Sequence, residues 1–196
     1  MQDGLRMHAK TATVDRKLKH RRESIAWARA LLDARDWVIL DTETTGLGLT
    51  DEVIQIGVIG PDASVALDTM VRPLGRRSIP AAAVAIHSIT FERLAGAPTF
   101  PELAPRLAEI VRGRRVIAYN ADYDRRLIQQ TALLSGVAAP HAAWECAMRA
   151  YARFVGEWDF RKNDYRFQRL PSGDHSALGD CRATLEIIRT MASARD

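Results

Sequence analysis

Along the chain, apolar positions fall first at helical and then at strand spacing. From Val14 to Leu32, VDRKLKHRRESIAWARALL places Leu18, Ile25, Ala28 and Leu32 at intervals compatible with an amphipathic helix, with Arg and Lys elsewhere on its circumference. The dozen residues before it lack such a period and are expected to fray. Three strand-like runs follow, 37–42, 52–59 and 65–71, joined by GLGLTD and GPDAS. Links this short favour antiparallel neighbours in one sheet.

Downstream the period is helical again. Residues 80–87 read as a short helix opened by proline, and 99–111 as a longer one with Thr99 as N-cap and Pro101 in the first turn. RRVIAYN reads as a strand and ADYDRRLIQQTALLSG as a helix stopped by Gly136. A short apolar piece at 142–145 precedes CAMRAYARFVG, which looks helical. Residues 157–174 are polar, aromatic and irregular, and SALGDCRATLEIIRTMA is the last amphipathic helix. An antiparallel strand trio followed by alternating helices and strands gives an α/β domain with a mixed central sheet. The implied division is a basic helical N-terminal extension, 1–36, and one domain, 37–196.

Composition narrows this picture. A chain of 196 residues is long enough for one real core. No apolar run approaches the roughly 20 residues of a membrane helix, and the N-terminus has no apolar signal core, so a soluble, cytoplasmic protein without membrane contact is expected. Cys146 and Cys181 lack CxxC spacing and read as two isolated buried thiols. The net charge of +4 is compatible with a polyanionic partner. That excess sits before the first strand, at Lys10, Arg16, Lys17, Lys19, Arg21, Arg22 and Arg29. Those cations form either the solvated face of a packing helix or a contact for a nucleic-acid strand.

The stretch VILDTETTGLG breaks the pattern by ending a buried strand on two acids. Side chains alternate along a strand, so Asp41 and Glu43 share one face and Thr42 takes the other. Like charges so close raise each other's pKa unless a cation compensates, and hard oxygen ligands suit Mg²⁺ or Mn²⁺. Alone, the pair could equally meet solvent at a turn. YNADYDRR puts Asp122 and Asp124 at a strand-to-helix junction, where α/β sheets collect ligands. Asp122 has an ordinary reading as N-cap, and Asp124 could merely complement the helix dipole. In HSALGDCRAT, His175 precedes Asp180 by five residues, about 500° of helical turn, which places His175 in the loop before the helix. Asp180 would be costly to bury unpaired, and an imidazole, with an ordinary pKa of about 6.5, suits proton abstraction from water.

In this order and over this length, DTETTGL, YNADYD and HSALGD resemble the three motifs of the DEDDh 3′-5′ exonucleases, which include the proofreading subunit of bacterial DNA polymerase III, RNase T and oligoribonuclease. The likeness covers about residues 38–191. It implies a ribonuclease H-like fold in which Asp41, Glu43, Asp124 and Asp180 hold two Mg²⁺ or Mn²⁺ ions per active site and His175 is the general base. The implied reaction removes nucleoside 5′-monophosphates from the 3′ end of DNA, single-stranded in the first instance, by a two-metal mechanism. An RNA 3′-5′ exonuclease is the alternative within the superfamily, and a catalytically silent nucleic-acid-binding module is the alternative outside it. By the same resemblance Thr44 and Leu47 contact the terminal nucleotide, although TTGL could be only a turn. IPAAAVAIHSIT resembles a family segment ending His-Gly-Ile, with Ser88 where glycine is usual. His87 is thus either a substrate contact or a helix-end histidine.

The stretch FVGEWDFRKNDYRFQRLPSGDH interleaves Phe154, Trp158, Phe160, Tyr165 and Phe167 with Arg161, Lys162, Arg166 and Arg169. Such mixtures stack bases and neutralise phosphates, but they also pack under loops. The DNA or RNA 3′ end is the expected partner, and membership of a DNA replication or repair complex is compatible with the resemblance. No oligomer interface can be read from the sequence.

Overall fold

The computed structural model describes the backbone of residues 2–75 and 78–195, with side chains from residue 15 onward. Its centre is a five-stranded sheet built from β1 (Trp37–Thr44), β2 (Val53–Ile59), β3 (Val65–Met70), β4 (Arg115–Ala118) and β5 (Ala143–Cys146), in the order β3-β2-β1-β4-β5. The expected trio is antiparallel, whereas β4 joins β1 in parallel and β5 joins β4 in parallel. The sheet is therefore mixed, and β1 lies at its middle.

Alternation along β1 divides the core. Val38 and Leu40 pack with α3 (Phe100–Val111) and α4 (Ala121–Leu134), while Trp37 and Ile39 pack with α1 (Gln2–Asp33), α5 (Ala147–Val155) and α6 (Ala177–Ser193). Both faces are covered, so period 2 persists along β1 although every apolar position is buried. Helix α2 (Ala81–His87) and a 3₁₀ turn at Glu92–Leu94 lie between β3 and α3. Thr99 is the N-cap of α3, as the sequence predicts, and forms a reciprocal box with Glu102.

Four expectations change. The first helix begins at Gln2 rather than Val14, so the residues expected to fray are helical backbone, and the Lys10 side chain lies outside the described residues. Its buried stripe is Ile25, Ala28 and Leu31, of which Ala28 and Leu31 pack in the core cluster with α5 and α6, whereas Leu18 is 49% exposed. Residues 157–174 are not wholly irregular: β6 (Trp158–Asp159) and β7 (Asp164–Tyr165) form a small hairpin. Finally, Cys181 is buried but Cys146 only partly so, and both are free thiols.

Candidate active site

Parity along β1 sends Asp41 to the α6 side with Ile39, and Thr42 to the α4 side with Leu40. From that side Asp124, in the first turn of α4, accepts bonds from the Thr42 amide at 3.1 Å and hydroxyl at 2.9 Å. Asp180 enters from the first turn of α6. Its seat depends on Gly57 of β2, where a Cβ would stand 2.6–2.7 Å from the backbone of Ala177 and Leu178. Gln55, also on β2, accepts from the Ala177 amide at 3.2 Å and fixes the same helix end.

The loop before α6 is built around the Asp180 carboxylate. The amides of Asp174 and His175 donate to Asp180 Oδ1 at 3.0 and 3.3 Å. His175 is exposed and left-handed, φ 59°, and Ser176 caps the helix by accepting from the Gly179 amide. Glu43, His175 and Asp180 each present a ligand atom within 4.8 Å of the others.

Four carboxylates thus converge, and none makes an ion pair among the described residues. Burial, and then the charges of Asp124, Asp180 and Glu43, hold the Asp41 carboxyl well above its ordinary pKa. Burial and the neighbouring acids push Glu43 up to about 8. Asp124 is pushed up to about 7 by burial, against the opposing pull of the Thr42 bonds. Burial raises Asp180 despite its two amide donors. The set fits a hard divalent cation, which would relieve the mutual repulsion and satisfy oxygen donors that protein cations leave unmatched.

Two cavities flank the cluster. One, of about 640 Å³, is lined by Asp41, Tyr119, Asn120, Asp124, Arg169 and His175 among others. The second, of about 390 Å³, is lined by Glu43, Thr44, Leu47 and His87, and shares Ile86 and Tyr123 with the first. Leu47 is 75% exposed on a strap held by Asp51, whose carboxylate accepts from the Thr45 hydroxyl and the Gly48 amide. The Thr44 hydroxyl donates to the Gly46 carbonyl and pairs with the Tyr123 hydroxyl. His87 does end α2, yet it also lines the cavity. Its Nδ1 accepts from the Ile89 amide, and its Nε2 is buried with no partner among the described residues. Burial lowers its pKa and favours the neutral ring.

All eight sequence-predicted site residues therefore line one or the other of these two neighbouring cavities. Asp122 does not join them and is not an N-cap: Asn120 has that place, and Asp122 pairs instead with Arg149 at 2.6 Å and Arg125 at 3.5 Å. The aromatic lip divides. Trp158 and Tyr165 pack edge to face, His20 bonds the Tyr165 hydroxyl, and Phe154 stacks on Tyr151, whereas Phe160 is 88% exposed. Gly57 and Gln55 act through contacts with a segment more than a hundred residues away and carry no local signal, whereas Asp51 braces its own loop; the sequence singles out none of the three.

Comparison with known proteins agrees with this geometry. The RNase_T family model, described as an exonuclease, matches residues 38–188. The chain is 37% identical over 174 residues to the uncharacterized exonuclease CP81 of Escherichia phage 186, covering 80% of this chain and 88% of that protein. It resembles the structure of Exonuclease X in complex with 5′ overhanging duplex DNA, with a TM-score of 0.56, 26% identity, and coverage of 81% of this chain and 94% of that one. The nuclease domain of 3′hExo, a DEDDh family member bound to rAMP, superposes with a TM-score of 0.60 at 16% identity, over 82% of this chain and 96% of that one. Of some longer matching chains, this chain spans 25% to 39% of the length. The mixed sheet flanked by helices is the ribonuclease H-like arrangement. The chain belongs to the RNase_T exonuclease family and is a hydrolytic 3′-5′ exonuclease.

Proposed function

We propose that the protein removes nucleoside 5′-monophosphates from the 3′ end of DNA, single-stranded where it enters the cleft, through residues 37–196, with residues 1–36 as a packing extension. The observation that carries this reading is the convergence of Asp41, Glu43, Asp124 and Asp180 beside an exposed His175, between two cavities. Asp41, Glu43 and Asp180 would hold one Mg²⁺ or Mn²⁺ ion, and Asp41 with Asp124 a second. Bound there, the ions supply charge neutralisation on the phosphate and a more acidic water.

The protein's own groups do the rest. His175, free at the cleft mouth, takes the proton of the attacking water, and the amide bond from its own backbone to Asp180 keeps it in register with the carboxylates. Water adds to phosphorus, the bond from phosphorus to the penultimate 3′ oxygen breaks, and that oxygen leaves with a proton from solvent. The Leu47 strap and the Thr44 backbone take the terminal nucleoside in the smaller cavity, where the unpartnered His87 Nε2 gives a further donor. The matching epsilon-like and epsilon subunits of DNA polymerase III and the DNA-bound Exonuclease X favour DNA over RNA and are compatible with work in replication or repair.

The test is shortening of matched 5′-labelled single-stranded DNA and RNA with Mg²⁺, Mn²⁺ or chelator, beside Asp41→Ala and His175→Ala. A ladder receding from the 3′ end of DNA, abolished by chelator and by either substitution, is expected. Faster loss of RNA would reverse the substrate, and two intact strands that still bind the protein would overturn the reading.

A further inference from the structure

Arg169 lines the larger cavity together with Asp41, Asp124 and Asp180, yet it makes no hydrogen bond or ion pair among the described residues. Other arginines are engaged: Arg16 lies over Trp158, Arg21 over Phe154, Arg115 between Asp36 and Glu145, and Arg149 on Asp122. The segment carrying Arg169 is tied on both sides. The Tyr119 hydroxyl donates to the Gln168 carbonyl at 2.8 Å, and Leu170 packs against the core cluster that includes Tyr119 and α6. The backbone therefore keeps Arg169 on the wall of the acidic cavity, exposed and paired with none of the acids among the described residues. A cation held so is arranged for an anion that arrives from outside.

We infer that Arg169 binds the phosphate on the 5′ side of the penultimate nucleotide of the strand being shortened. This rests on the exonuclease reading above. If the smaller cavity takes the terminal nucleoside beside Thr44 and Leu47, the rest of the strand leaves the carboxylates on the other side, across the cavity lined by Tyr119, Asn120 and Arg169. The scissile phosphate lies at the carboxylates. The next phosphate along the strand is the one that Arg169 meets. Two parallel N–H bonds from a guanidinium suit a phosphate better than a lysine would.

The test uses single-stranded oligonucleotides carrying one uncharged methylphosphonate linkage, placed second, third or fourth from the 3′ end. With the wild type, neutralising the second linkage raises KM about tenfold, and neutralising the fourth does so much less. Arg169→Ala raises KM for the unmodified strand by about the same factor, and the second-linkage substitution then adds less than about twofold, the signature of two changes to one contact. Arg169→Lys keeps part of the sensitivity. If Arg169→Ala stays fully sensitive to the second linkage, or lowers only kcat, the inference is overturned and Arg169 merely shapes its loop. Wild-type protein that shortens no strand would instead remove the exonuclease reading itself.

Discussion

The C-terminal end of β1 and helix α1 handle charge in opposite ways. At the strand end, four carboxylates converge with no cationic side chain paired to any of them among the described residues. Along α1, three arginines are matched within the protein. Arg16 covers Trp158, Arg21 covers Phe154 and donates to its carbonyl, and Arg29 donates to the carbonyls of Ala192 and Ala194. The first arrangement is complete only with something added, and the second is complete as folded. This favours a packing role for those three N-terminal arginines over a nucleic-acid contact.

The contrast can be broken at its acidic end first. Asp41→Ala should lower exonuclease activity by at least about a hundredfold, measured as release of 3′-terminal nucleotides. It should also raise the melting temperature in chelator, since the cost of burying that carboxyl among other acids is gone. A fall in stability would show that Asp41 is satisfied without a cation. Gly57→Ala attacks the same end without touching an acid. Its Cβ meets the α6 backbone, so a cost of about 1–3 kcal/mol is expected in denaturant unfolding, with activity falling as Asp180 is displaced.

The pH dependence sharpens the contrast. Unfolded, Glu43 and Asp124 lose their protons near 4.5 and 3.8, but in the folded protein they do so at about 8 and about 7. Between those limits the folded state holds the extra protons, so stability in chelator is greatest at the acidic end and falls as pH rises towards 8. Thermal melts from pH 5 to 8 should show this slope, and Mn²⁺ should flatten it. On the other side of the molecule, Arg21→Ala should cost about 1 kcal/mol in unfolding experiments while leaving the exonuclease rate within about twofold. The smallest effect is expected at Ser88, which caps α2 in the left-handed region at φ 58°. Ser88→Gly relieves that strain but loosens the unfolded chain, for a net gain below about 1 kcal/mol by thermal melting.

How much of this was legible in the sequence differs between the same two regions. The strands, the N-cap at Thr99 and the acids Asp41, Glu43, Asp124 and Asp180 announce themselves through local period and residue type. His175 was placed in its loop by helical arithmetic alone. What brings them together was not legible. Gly57 looks like any strand glycine until α6 crosses it, and Gln55 looks like a surface polar residue until it meets the Ala177 amide. Asp122 misled because the residue type suits a cap, yet Asn120 opens the helix and Asp122 faces Arg149. The aromatic lip stays open between stacking and packing in the sequence, since only the fold shows that Trp158 and Tyr165 lie against each other and α1.

The most direct measurement is calorimetric titration of Mn²⁺ into the metal-free protein at pH 6 and pH 8, in buffers of different ionisation heat, beside Asp180→Asn. The account predicts saturable binding, with proton release at pH 6 from Glu43 and Asp124 that shrinks by pH 8, and marked weakening in the variant. Binding that releases no protons at pH 6, or that Asp180→Asn leaves unchanged, would contradict the claim that these carboxylates form the site of a divalent cation.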